Sequence, residues 1–146
     1  MGDISKNFSF YEFEASETAR KKNIDNTIPE SVKPAIRELT NTCLQPLRDS
    51  LCAPLEINSG YRCAKLNDLL GGAKTSQHRK GEAADIRSSF FTPIDIARSI
   101  VSLQLPFDQL ILYPTFVHVS HKYNGKQRGQ ILYNSRYSGE MIEAYA

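Results

Sequence analysis

The chain has 146 residues, enough for one ordinary domain with a real core and too few for two substantial ones. Hydrophobic residues make up 40% and charged residues 23%, a soluble globular balance that excludes a disordered or membrane-embedded chain. A net charge of +2 is too small to point to nucleic acid as a partner. The expectation is a single domain over residues 1–146, working as a monomer. No N-terminal stretch couples basic residues to an apolar run, and no apolar segment reaches about 18 residues, so neither a signal peptide nor a membrane helix is expected. Such a chain is made and kept in a cytoplasm. Cys43, Cys52 and Cys63 are odd in number and lack a metal-binding spacing, which in a reducing compartment reads as three free thiols.

In chain order, Ser9-Phe10-Tyr11-Glu12 has capping-box spacing, and a first helix is expected from Phe10 to Lys22 with Tyr11, Phe13 and Ala19 inward. Asp25-Asn26-Thr27 before Pro29 reads as a loop. From Glu30, Val32, Ile36, Leu39, Cys43, Leu47 and Leu51 recur every three or four residues, the stripe of a long packing helix that Pro46 should kink or end. Leu55 to Asn58 alternates as a short strand and delivers Arg62 at the turn Ser59-Gly60-Tyr61. Cys63 to Leu70 is a brief helix closed by Gly71-Gly72. The loop Ala73 to Lys80 follows, then an extended Ala83-Ala84-Asp85. Thr92-Pro93-Ile94-Asp95 starts a helix to about Leu103, buried through Ile94, Ala97, Ile100, Val101 and Leu103. Asp108 to Leu112, Phe116 to His121 and Gln130 to Tyr133 read as strands, the last two joined by a loop containing Asn124-Gly125. The fold class is α+β, a small antiparallel sheet with helices packed on one side.

One stretch, Ser76 to Asp85, brings a histidine, a glycine and a carboxylate within ten residues. His78 and Asp85 read as two ligands of a zinc ion, for which three protein ligands and one open position are usual in catalysis. The alternating, strand-like run Phe116 to His121 offers the third, taken to be His118. It also turns His121 to the other face, away from the metal, and His121 is expected at the surface. Ala83 and Asp85 share a face, so Glu82 points away. The planar guanidinium of Arg62 suits a substrate carboxylate or a tetrahedral oxyanion.

Ser76 to Asp85 matches S-x-H-x-x-G-x-A-x-D at all five fixed positions. It resembles the histidine-aspartate motif of the zinc D-Ala-D-Ala carboxypeptidase and L-alanyl-D-glutamate endopeptidase family. Asn58-Ser59-Gly60-Tyr61-Arg62 is similar to the segment carrying that family's substrate-binding arginine, and Leu66-Asn67 and Gly71-Gly72-Ala73 to the helix and loop after it. Phe107 to Ile111 and Val117 to Ser120 are similar to the strand pair bearing the last ligand. Phe8 to Leu51 resembles the short members found in phages and bacterial genomes.

The resemblance implies a zinc site on the open sheet face, of the kind also met in hedgehog domains, and hydrolysis of an amide bond in peptidoglycan stem peptides. Either a D-Ala-D-Ala or an L-alanyl-D-glutamate bond is the implied target. Arg62 would anchor a carboxylate or stabilise the oxyanion, and Ser76 would hydrogen-bond the substrate backbone. It further implies action on the wall after release from the cytoplasm, or as part of a phage particle. One departure stands out. The family commonly places a carboxylate three residues before its last histidine, and Thr115 stands there. Asp108 and Tyr113 are the replacement candidates, Tyr113 also as an oxyanion donor, with Glu82, Glu140 and Glu143 more distant. The alternative is a zinc-containing domain that binds wall peptides or a protein partner without cutting. A purely structural zinc would need a fourth ligand from Cys63 or His121.

Overall fold

The structure, a computed structural model, describes residues 2–142. The first helical stretch is two helices, α1 (Phe10–Glu14) and α2 (Glu17–Lys21), because Ala15 is extended and Ser16 caps a new start by accepting from the Ala19 amide. Ser9 and Glu12 form the expected capping box. Phe13 and Ala19 are buried as expected, but Tyr11 is 73% exposed, since the short α1 buries one face only.

The apolar stripe beginning at Val32 forms α3 (Lys33–Leu39), a π-turn (Thr40–Leu44) and α4 (Gln45–Leu51) without interruption. Pro46 therefore neither ends the helix nor stands in a regular one. The wider turn, in which the Gln45 amide donates to the Thr40 carbonyl, takes up the misfit just before the proline. Ile36, Leu39, Cys43, Leu47 and Leu51 are buried along it.

A five-stranded sheet has the order β1-β2-β4-β3-β5, with β1 (Glu56–Ser59), β2 (Ala83–Arg87), β3 (Gln109–Leu112), β4 (Val117–Ser120) and β5 (Gln130–Tyr133). Three pairings are antiparallel, but β5 runs parallel to β3. The link from β4 must therefore cross the start of β3, and it lays residues 121–129 along that end of the sheet. Between β1 and β2 lies α5 (Ala64–Leu69), and between β2 and β3 lies α6 (Pro93–Ser102), opened by a Thr92–Asp95 capping box.

Alternation divides the sheet. Ala84, Ile86, Leu110, Leu112, Val117 and Val119 face the helices and join Ile36, Leu39, Leu44, Leu47, Ile96, Ile100 and Val101 in the core. Ile96 replaces Leu103 on the packed side of α6, and Leu103 is exposed just past the end of the helix. The tail up to Ile142 folds back, with the Ile142 amide donating to the Tyr133 hydroxyl and Arg98 pairing with Glu140 at 2.8 Å. Glu143 lies outside the described residues. Among the described residues no helix is long and apolar enough to cross a membrane.

Candidate metal centre and its cleft

The open face of the sheet carries one row of register partners: Ser59 opposite Asp85, Asp85 opposite His118, and His118 opposite Ile111. Directly opposed side chains stand about 5 Å apart, so register alone brings Asp85 and His118 together. A bulge in β1 at Asn58 lets Ser59, rather than Asn58, face Asp85.

His78 enters from a short 3₁₀ turn (Gln77–Lys80), not from a loop, and Ser76 caps that turn by accepting from the His78 amide. Gly81 ends it at φ +72°, and an added Cβ would stand 2.5 Å from Val32 Cγ1, so a glycine is required between turn and strand.

His78 Nδ1 lies 2.7 Å from the Gly60 carbonyl oxygen and donates to it, which leaves the Nε2 lone pair facing Asp85 Oδ1 at 3.4 Å. His118 Nδ1 lies 2.9 Å from the same carboxylate oxygen. The three ligand atoms fall within 4.8 Å of one another. Imidazole nitrogen twice and carboxylate oxygen once is a normal zinc donor set, and the fixed outer hydrogen bond of His78 is the usual support of a histidine ligand. The residues fit a zinc ion. Among the described residues no fourth histidine, cysteine or acidic ligand joins them. Cys63 caps α5 through Sγ and the Leu66 amide.

His121 is not at the surface. It is buried, with Nδ1 2.6 Å from the Pro106 carbonyl and Nε2 2.8 Å from Glu38 Oε2. Alternation does turn it from the metal, but the face it turns to is the covered one.

Burial would raise the Asp85 carboxyl pKa, yet the hydrogen bond from His118 and the two imidazoles packed against the carboxylate outweigh it and hold the group below the usual carboxylate range. Arg62 is fastened beside it. Its Nε donates to Ser59 Oγ at 3.0 Å, Nη1 to Asn67 Oδ1 at 3.4 Å, and Nη2 lies 3.5 Å from Asp85 Oδ2. The backbone around Arg62 is held by Asn26, whose amide donates to the Tyr61 carbonyl and accepts from the Cys63 amide. Asn26 and Asn67 are buried and hold the arginine; the sequence places Asn26 in a loop and Asn67 in the helix after Arg62 but gives neither this role, because a single polar residue carries no periodic signal.

These groups line a cleft of about 460 Å³, together with Ser76, Gln77, Gln109, Ile111, Tyr113 and Arg128. Tyr113 stacks on Phe116 at 4.4 Å. Burial, then the Asp85 charge, pushes its hydroxyl pKa up, so it is a donor at neutral pH.

Asp108 is not brought to the cleft. It is fully buried, accepts from the Arg128 backbone amide at 2.8 Å, and meets the Arg128 guanidinium at 2.7 Å. Burial alone would raise its pKa, but the Arg128 hydrogen bonds and charge hold it low. Thr115 is exposed in the turn before β4, Glu82 accepts from the Tyr123 amide, and Glu140 pairs with Arg98. Among the described residues, Asp85 is the one carboxylate lining the cleft.

No curated protein matches the chain. The family model described as peptidase M15 matches residues 6–120, which contain His78, Asp85, His118 and Arg62. With that match over most of its length, the chain belongs to the peptidase M15 family, the D-Ala-D-Ala carboxypeptidase-like zinc peptidases.

Proposed function

We propose that the protein hydrolyses an amide bond of peptidoglycan stem peptides, at a D-Ala-D-Ala terminus or at the L-alanyl-D-glutamate bond. The observation that carries this reading is the convergence of three ligand atoms, and no fourth among the described residues, at the floor of an open cleft. A zinc ion held by His78, Asp85 and His118 supplies Lewis-acid polarisation of a carbonyl and activation of water.

The chain's own residues do the rest. Arg62 keeps its guanidinium plane fixed through Ser59 and Asn67 and offers its remaining N–H groups to a substrate carboxylate or to the oxyanion. The protonated Tyr113 hydroxyl donates to the oxyanion from the opposite end of the His118 strand pair. Ser76 accepts from the His78 amide, which leaves its hydroxyl proton for the substrate backbone.

A second reading, a domain that binds wall peptides without cutting them, is favoured by one observation: no carboxylate besides Asp85 lines the cleft among the described residues. Removal of a proton from water by a side chain thus lacks its usual agent. The experiment that separates the two is mass spectrometry of purified peptidoglycan fragments incubated with zinc-loaded protein, beside a His118→Ala control. Release of D-alanine, or of fragments beginning at D-glutamate, only with the wild type establishes hydrolysis and names the bond. Intact fragments after incubation with protein carrying one zinc per chain would leave the binding reading.

A further inference from the structure

Arg128 lies past the residues that the family model matches, in the link that crosses the start of β3. Its place follows from topology. Because β5 lies parallel to β3 on the far side from β4, the residues just before Gln130 must sit at the start of β3, beside Gln109, which lines the cleft. Arg62 enters from the β1 edge, and Arg128 enters from the β5 edge.

The guanidinium is half-exposed but anchored along one edge. Nε lies 3.1 Å and 3.2 Å from the two Asp108 carboxylate oxygens and Nη2 lies 2.7 Å from one of them, while Asp108 is fully buried and also holds the Arg128 backbone amide. Nη1 has no partner among the described residues, and Arg128 lines the cleft beside Gln109. A guanidinium anchored along one edge keeps its other donors aimed and loses little freedom on meeting an anion. Lys122 Nζ stands 3.9 Å from Asp108, so the carboxylate is shared between two cations and does not cancel the field of both.

We propose that Arg128 holds a carboxylate of the bound peptide, one apart from the group taken by Arg62, so that the cleft selects peptides with acidic groups towards both ends. This deepens the reading above and rests on it.

The test measures, by calorimetry, binding of a synthetic stem peptide with all carboxylates free and of versions in which one carboxylate at a time is a carboxamide. The proteins are zinc-loaded wild type, Arg128→Gln, and Asp108→Asn/Arg128→Gln, which strands no buried charge should the single variant fold poorly. One carboxamide is expected to bind wild type about tenfold more weakly than the free acid. Both variants should lose that discrimination while binding the same carboxamide as wild type does. Discrimination that survives in the variants belongs to Arg62. If every discrimination survives, or if the variants weaken acid and carboxamide alike, Arg128 is only the partner of Asp108; the proposal then falls and the substrate reading stands. If wild type binds none of the peptides, the substrate reading falls and takes the proposal with it.

Discussion

His78 Nδ1 sits 2.7 Å from the carbonyl oxygen of Gly60, a residue eighteen positions earlier that has no room for a side chain. An added Cβ at Gly60 would stand 2.7 Å from the Phe13 Cα and 2.8 Å from its ring. The residue that sets the tautomer of His78, a proposed zinc ligand, is thus clamped by α1. Gly60→Ala should push the carbonyl off His78 and weaken zinc binding by about 10–100-fold, the usual cost of losing a ligand's outer hydrogen bond. Competition titration against a chelator of known affinity measures it; unchanged affinity would separate Gly60 from the metal site.

Asn26 is expected to matter for the position of Arg62. Its side chain satisfies the Tyr61 carbonyl, the Cys63 amide and the Glu14 carbonyl. Asn26→Ala leaves these buried groups short of partners and should cost about 1–3 kcal/mol by denaturant unfolding. In peptide binding the same variant should behave like a weakened Arg62→Lys, with zinc content unchanged.

Asp108 gives a pH signature. Its folded pKa lies below the unfolded value of about 3.9, so its contribution to stability is complete above that value and is lost as pH falls through the folded pKa. Asp108→Asn should therefore be less stable than wild type at neutral pH, with the gap closing on acidification below about pH 4. Urea midpoints measured between neutral and acid pH test this; a gap that stays constant would place the effect in packing and not in charge.

Thr40, in the π-turn, is fully buried and its hydroxyl has no hydrogen-bond partner among the described residues. Thr40→Val keeps the shape and removes the stranded group, and should raise stability by about 1 kcal/mol. A lower melting temperature would mean the hydroxyl has a partner after all.

The grouping of His78, Asp85 and His118 was legible because two simple rules bring them together. A period of two puts Asp85 and His118 on the open face, and the S-x-H-x-x-G-x-A-x-D spacing brings His78 over them within one short turn. The helical stripe from Val32 to Leu51 was legible for the same kind of reason. The same period placed His121 on the face of Val117 and Val119, both core residues, so its burial was implied by the pattern and hidden only by the habit of reading histidine as a surface residue. What the sequence did not carry is pairing order. Nothing local says that β5 passes over β3 to run parallel to it, and that crossing decides that Arg128 lines the cleft and that Asp108 lies beneath it. The π-turn was equally silent, because Pro46 announces a misfit without saying how the helix absorbs it.

A zinc ion held by His78, Asp85 and His118 would make this cleft a hydrolase of wall peptides. The most direct measurement follows cleavage of stem peptides by one preparation as isolated, after chelation, and after stepwise return of zinc. Cleavage should be lost on chelation and restored in proportion to zinc up to one ion per chain. Cleavage that survives chelation, or none from protein carrying its full zinc, would contradict this reading.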